Sequence, residues 1–229
     1  MSDASSIPLD DAISKVQSIA DSLWVNLSQA PGEREQARIR VRRYMFVGVE
    51  PGAGTTVLAA ATAMGLARNL RLEVSLVETN VAEPALAGYL NVSGTPGLSD
   101  AMDGHATLDE CTRDIPACPG LHVIPAGTRR RRVPGEFATD SSRSLFQRLT
   151  SRGRYVIIDA PPLIDHPESR ILLEYVDGVV LVLRARSSQS DAAQKTLRFL
   201  EEAGVPVLGS VLNRFKSDMP FGMGERDWK

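Results

Sequence analysis

The sequence predicts an α/β domain built on a mostly parallel sheet with helices on both faces, preceded by a helical extension at its N-terminus. Three observations carry that prediction. Short β-branched runs alternate along the chain with longer stretches of helical period. Runs such as YVIIDA, DGVVLVLRA and VPVLGSVLN are apolar almost throughout, as strands covered on both faces must be. The glycine-bearing stretch FVGVEPGAGTT joins one such run to an alanine-rich helix, the turn that opens a βαβ crossover.

Taken in order, PLDDAISKVQSIADSLWVNL places Ile13, Val16, Ile19, Leu23 and Leu27 at helical spacing, with Asp10 or Asp11 available near the start. This extension is assigned residues 1–40, the sheet domain residues 41–215, and a Gly/Pro-containing tail residues 216–229. Strands are expected at 43–49, 73–78, 121–125, 154–160, 178–184 and 207–213. Helices are expected near 56–70, 84–91, 136–151, 168–175 and 190–203.

The chain has 229 residues, 43% of them apolar and 24% charged, enough for one well-covered domain. A net charge of −2 supplies no global field for nucleic acid or an anionic membrane, so no nucleic-acid partner is expected. The start, MSDASSIPLDD, lacks the basic and apolar regions of a secretory signal. No apolar run approaches the roughly 18 residues of a membrane span. A cytoplasmic protein is expected. Cys111 and Cys118 match no zinc or redox spacing and are expected to be free thiols. His105, His122 and His166 are scattered and suggest no metal cluster.

The stretch from Phe46 to Ala67 has the form of a phosphate-binding loop. Such loops point successive backbone N–H groups into a cavity at a helix N-terminus, and glycines let the anion approach. Gly52, Ala53 and Gly54 provide the cradle, and Thr56 stands where a hydroxyl would meet Mg²⁺. A lysine is expected after Gly54, and Thr55 is there instead. Losing one hydrogen bond to a charged group removes about 1.5–3 kcal/mol, a tenfold to hundredfold weakening. Phosphoryl transfer should suffer more, since charge stabilisation is most of what such a site supplies. The alternative is an ordinary glycine-rich βα turn.

VEPGAGTT, VSLVETNVAEPALAGYL, PGLSDAMDGHATLDECT, PGLHVIPAG, YVIIDAPP and SVLNR follow one another in an order and spacing that resembles the bacterial tyrosine kinase family. These are P-loop NTPase-like proteins of polysaccharide synthesis and export, similar to the MinD/ParA ATPases. The resemblance covers about residues 40–215. It implies ATP or ADP with Mg²⁺ as cofactors, and a carboxylate pair after the second strand. Here that pair reads Glu78 and Asn80, one acid lengthened and the other an amide. Asp159 of IIDAPP is kept and is implied to reach Mg²⁺ through water. A further family aspartate aligns with Glu168, with Asp165 close by. The resemblance gives Asn213 an adenine edge to read and Arg214 the ring or ribose to flank. A strand-end residue that turns the chain is the other reading of Asn213.

Three departures from the family accompany the missing lysine. The tail has no tyrosine cluster, the last tyrosine being Tyr175. Asp21 and Trp24 fall where the ring-forming helix of the family carries arginines. Arg129 to Arg132 occupy a loop after the third strand, either solvated or forming an anion site. The expected function is a catalytically degenerate regulator or scaffold of exopolysaccharide or capsule synthesis, binding nucleotide weakly or not at all. Its expected partner is the cytoplasmic segment of a membrane polysaccharide co-polymerase, with self-association also allowed. The alternatives are an active ATP-dependent kinase or ATPase, in which Glu78 and Asp159 manage the metal, and a ParA/MinD-like positioning ATPase.

Overall fold

The computed structural model describes residues 42–128, 135–152, 155–186 and 190–214. The extension with Asp21 and Trp24, the run Arg129–Arg132 and the tail lie outside the described residues, and so does the Glu168 side chain. A seven-stranded sheet forms the centre of the molecule. Its strands are β1 (Arg42–Gly48), β2 (Val74–Glu78), β3 (Arg113–Asp114), β4 (Leu121–Ile124), β5 (Tyr155–Ala160), β6 (Gly178–Arg184) and β7 (Val207–Asn213). They stand in the order β3-β4-β2-β5-β1-β6-β7, parallel except for β3 against β4.

The six longer strands fall within a residue or two of the expected spans. The helices are α1 (Thr55–Leu70), α2 (Leu86–Leu90), α3 (Leu98–Met102), α4 (Leu108–Cys111), α5 (Asp140–Arg152), α6 (Pro167–Ile171) and α7 (Ser190–Glu202). Short 3₁₀ turns at Glu136–Ala138 and Leu172–Tyr175 precede α5 and follow α6. Strand β3 and helices α3 and α4 are additions to the expected elements. Each has five residues or fewer, too short to show a period.

Alternation along the strands divides the core into two layers. Tyr44, Phe46, Tyr155 and Ile157 point to one face, where α1 covers them with Leu58, Leu66 and a row of alanines. Met45, Val47, Val156 and Ile158 point to the other, packed with Phe137, Phe146, Leu149 and Leu200. Tyr175 stacks on Phe146 at 4.6 Å and donates its hydroxyl to Phe137 O at 2.7 Å. Cys111 and Cys118 are buried free thiols, as expected, and burial pushes Cys111 up to about 11. Among the described residues no helix is long and apolar enough to cross a membrane.

At the β3 end of the sheet, His122 is held from both sides. Its Nδ1 lies 2.6 Å from Asp114 Oδ1 and its Nε2 2.6 Å from Glu73 Oε2. Burial pulls the imidazolium down, but the two carboxylates outweigh it and leave the pKa above the ordinary histidine value. The resulting stability is present below the unfolded-state pKa and is lost as pH rises through the folded one. Both acids are more than half exposed, so water screens the pair and the gain stays below about 1 kcal/mol. Urea unfolding of the wild type and His122→Gln should therefore differ most at pH 6 and converge by pH 9. A gap that widens with pH would contradict this arrangement.

Candidate functional site

Strand β1 lies between β5 and β6, so the loop that leaves it opens where crossovers depart in both directions. In open α/β sheets this point at the strand C-termini is where ligands bind. The loop turns on two left-handed glycines, Gly52 at φ 73° and Gly54 at φ 91°, and α1 begins at Thr55. The helix N-terminus has no side-chain cap, which leaves its first N–H groups to a ligand or water. Thr55 does not stand in for a cation. A Cβ placed on Gly48 would lie 2.7 Å from Thr55 Oγ1, so the hydroxyl packs against the end of β1.

Thr56 faces Asp159 across the gap between α1 and β5 and favours its ionised form. Asp159 is 1% exposed, and its Oδ2 has no hydrogen-bond partner among the described residues. Burial raises its pKa to about 8; Thr56 opposes the rise and the charge of Glu78 adds to it. A buried carboxylate oxygen without a partner, beside a hydroxyl and a row of free amides, suits a divalent cation that also binds phosphate. Thr56 and Asp159 are the residues that would hold Mg²⁺, which would supply positive charge against a phosphate.

Glu78 is bound by three backbone N–H groups. Its Oε1 accepts from the N–H groups of Ala85 at 2.6 Å and Leu86 at 2.9 Å, and its Oε2 from Ala126 at 3.2 Å. The carboxylate anchors the start of α2 and the exit of β4. Glu78 is not among the residues that line the cleft, although it stands beside Asp159 in the register of β2 on β5. The signal was present in the sequence: α2 opens on Pro84-Ala85 with no capping side chain of its own, so an acceptor had to come from elsewhere. Asn80 does line the cleft, its Oδ1 accepting from Glu83 N at 3.2 Å.

Asn213 at the end of β7 reaches the loop directly. Its Nδ2 donates to Ala53 O at 2.8 Å, and its Oδ1 accepts from Arg214 N at 2.8 Å. A Cβ on Gly54 would collide with that Nδ2, so glycine is required there by contact as well as by φ. Each end of the amide thus has one bond within the chain. One N–H and one lone pair remain.

These groups enclose a cleft of about 280 Å³. Residues 50–57, Asn80, Glu83, Tyr89, Asp159 to Pro162, His166 and Arg214 are among those that line it. Tyr89, 42% exposed, and His166 were not anticipated as lining residues. Asp165 is exposed and outside the lining. Among the described lining residues, Arg214 is the one lysine or arginine.

The kinase domain of Escherichia coli tyrosine kinase ETK superposes with a TM-score of 0.78 at 20% identity, over 97% of this chain and 87% of that one. In sequence, the chain is 25% identical over 204 residues to tyrosine-protein kinase ptk of Acinetobacter johnsonii, covering 89% of this chain. The chain is a relative of the bacterial tyrosine kinases. It spans about a quarter, 26%, of the length of ptk. With tyrosine-protein kinase CpsD of Streptococcus agalactiae the identity is 25% over 176 residues, 74% of this chain and 73% of that one. The septum site-determining protein MinD of Pyrococcus horikoshii, solved with Mg-ADP, has the same broader fold, with a TM-score of 0.63 at 20% identity over 82% of this chain and 73% of that one. No family model matches the chain. Thr55 follows Gly54, and Asn80 stands two residues after Glu78, where the resemblance implies a lysine and a second acid.

Proposed function

We infer that this bacterial tyrosine kinase relative is catalytically degenerate and acts as a regulatory or scaffolding subunit in polysaccharide synthesis and export. One observation carries the reading. Thr55 fills the lysine position and turns its hydroxyl onto β1, so the loop presents amides without a cation of its own. The engagement of Glu78 by backbone N–H groups supports the same conclusion, because it leaves Asp159 as the single buried acid at the cleft. ATP or ADP with Mg²⁺ binds weakly in such a site. The partner is the cytoplasmic segment of a membrane polysaccharide co-polymerase, and self-association accompanies it. Docking on that partner holds the chain at the inner face of the membrane.

A second reading, an active ATP-dependent kinase, is favoured by the intact Thr56–Asp159 pair and by the names of the relatives. Isothermal titration with ATP and ADP, with and without Mg²⁺, separates the two. The natural protein should bind weakly or not at all, and Thr55→Lys should tighten binding about tenfold to a hundredfold. Micromolar Mg²⁺-dependent binding by the natural protein, with turnover, would establish the kinase.

A further inference from the structure

We propose that Asn213 and Arg214 serve the phosphate side of the cleft, Asn213 as a brace of the loop and Arg214 as its cation, so that the site takes a metal-bridged polyphosphate without reading a base. The proposal rests on the reading of the cleft as a degenerate nucleotide site and names what that site still recognises.

The brace follows from geometry. The end of β7 is 160 residues from the loop in sequence, yet Asn213 Nδ2 lies 2.8 Å from Ala53 O and against Gly54. That bond fixes the carbonyl between the two left-handed glycines, and with it the direction of the amides that face an anion. A group that holds the loop in this way has half of its base-reading capacity already committed.

The cation follows from position. Arg214 has φ 56°, a left-handed conformation that is uncommon for a side-chain-bearing residue, and its N–H is tied to Asn213 Oδ1 at 2.8 Å. The turn therefore sets Arg214 one residue from the contact with the cradle, and it lines the cleft. Among the described residues its guanidinium has no acidic partner. A planar fork of donors suits phosphate oxygens.

The charge of the ligand follows from the other lining groups. Glu50 and Glu83 line the same cleft as the one arginine, so a bare anion meets more negative than positive charge. Asp159, nine-tenths or more buried with Oδ2 unpartnered, faces the place where a divalent cation would offset that charge. The chemistry recognised is thus the polyphosphate–metal unit, shared by nucleoside triphosphates and inorganic tripolyphosphate.

The test is calorimetric titration of the whole chain with ATP, GTP and inorganic tripolyphosphate, each with Mg²⁺. The wild type should bind the three within about threefold of one another. Arg214→Ala should weaken all three at least about tenfold, Arg214→Lys should retain part of the affinity, and Thr55→Lys added to Arg214→Ala should restore it. Asn213→Ala should weaken all three alike. Circular dichroism and melting of each variant establish that it is folded. Loss of ATP affinity alone in either alanine variant would place these residues on a base and overturn the proposal. Binding by Thr55→Lys but not by the wild type would also overturn it, while leaving the degenerate cleft intact. No binding by either would remove both.

Discussion

Glu78→Ala should destabilise the protein by on the order of 4 kcal/mol, the largest effect expected of any substitution near the cleft. The carboxylate is 1% exposed and accepts from three backbone N–H groups, those of Ala85, Leu86 and Ala126. Alanine leaves those donors without an acceptor, and each costs about 1–3 kcal/mol where water cannot reach. For a domain of this size that corresponds to a fall in Tm of about 8–16 °C. Glu78→Gln should cost roughly half as much, since one amide oxygen remains and the NH₂ must face a donor. Glu78→Asp is informative for another reason. It restores the acid type that the kinase resemblance calls for, but the side chain is a methylene shorter and cannot bridge α2 and the β4 exit. It should therefore lose stability without gaining phosphoryl transfer. Differential scanning calorimetry and an ATP turnover assay on the three variants check this. A Glu78→Ala variant within about 1 kcal/mol of the wild type would show that the anchor carries little.

The ligand-free protein should lose stability as pH rises from about 4 to about 8, and Asp159→Asn should remove that part of the slope. Burial lifts Asp159 from 3.8 to about 8, with Thr56 opposing and Glu78 adding to the shift. Between those values the folded chain keeps a proton that the unfolded chain has released. Raising the pH then favours unfolding, by about 1.4 kcal/mol per pH unit for one proton, or several kcal/mol over the window. The asparagine has no proton to lose. Its advantage over the wild type should grow from pH 5 to pH 8 and then level off, as read by urea unfolding at each pH. A difference that stays constant with pH would mean that the carboxyl is ionised or hydrated in the folded chain. Millimolar Mg²⁺ should flatten the slope of the wild type and leave that of Asp159→Asn unchanged.

The sheet was legible because burial on both faces writes itself as apolar runs. YVIIDA became β5 with every residue buried, and DGVVLVLRA became β6. The short elements left weaker traces. Strand β3 is Arg113 and Asp114, an edge pair with a polar composition. Helix α4 did carry a readable signal, since Thr107 and Glu110 form a reciprocal capping box at its start. At the site, the glycines and Thr56 follow from a motif local in sequence, whereas Asp159 comes from the resemblance carried by IIDAPP. The bonds of Glu78 were legible only in part: the uncapped start of α2 calls for an acceptor, but the bond from Ala126 N depends on where that residue arrives, 48 residues later. The bond from Asn213 to Ala53 depends likewise on the order of strands in the sheet.

Helix α1 buries Ala59, Ala60, Ala61, Ala63 and Ala67, all 2% exposed or less, and those on its inner side meet the sheet. Methyl groups are the thinnest spacers that L-residues offer, so the helix sits as near the strands as it can. A leucine at any of these places would act as a wedge, costing about 1–3 kcal/mol and tilting the helix outward. Thr56 would ride away from Asp159 with it. The gauge of the opening is thus cut several turns behind it, in residues that no ligand ever touches.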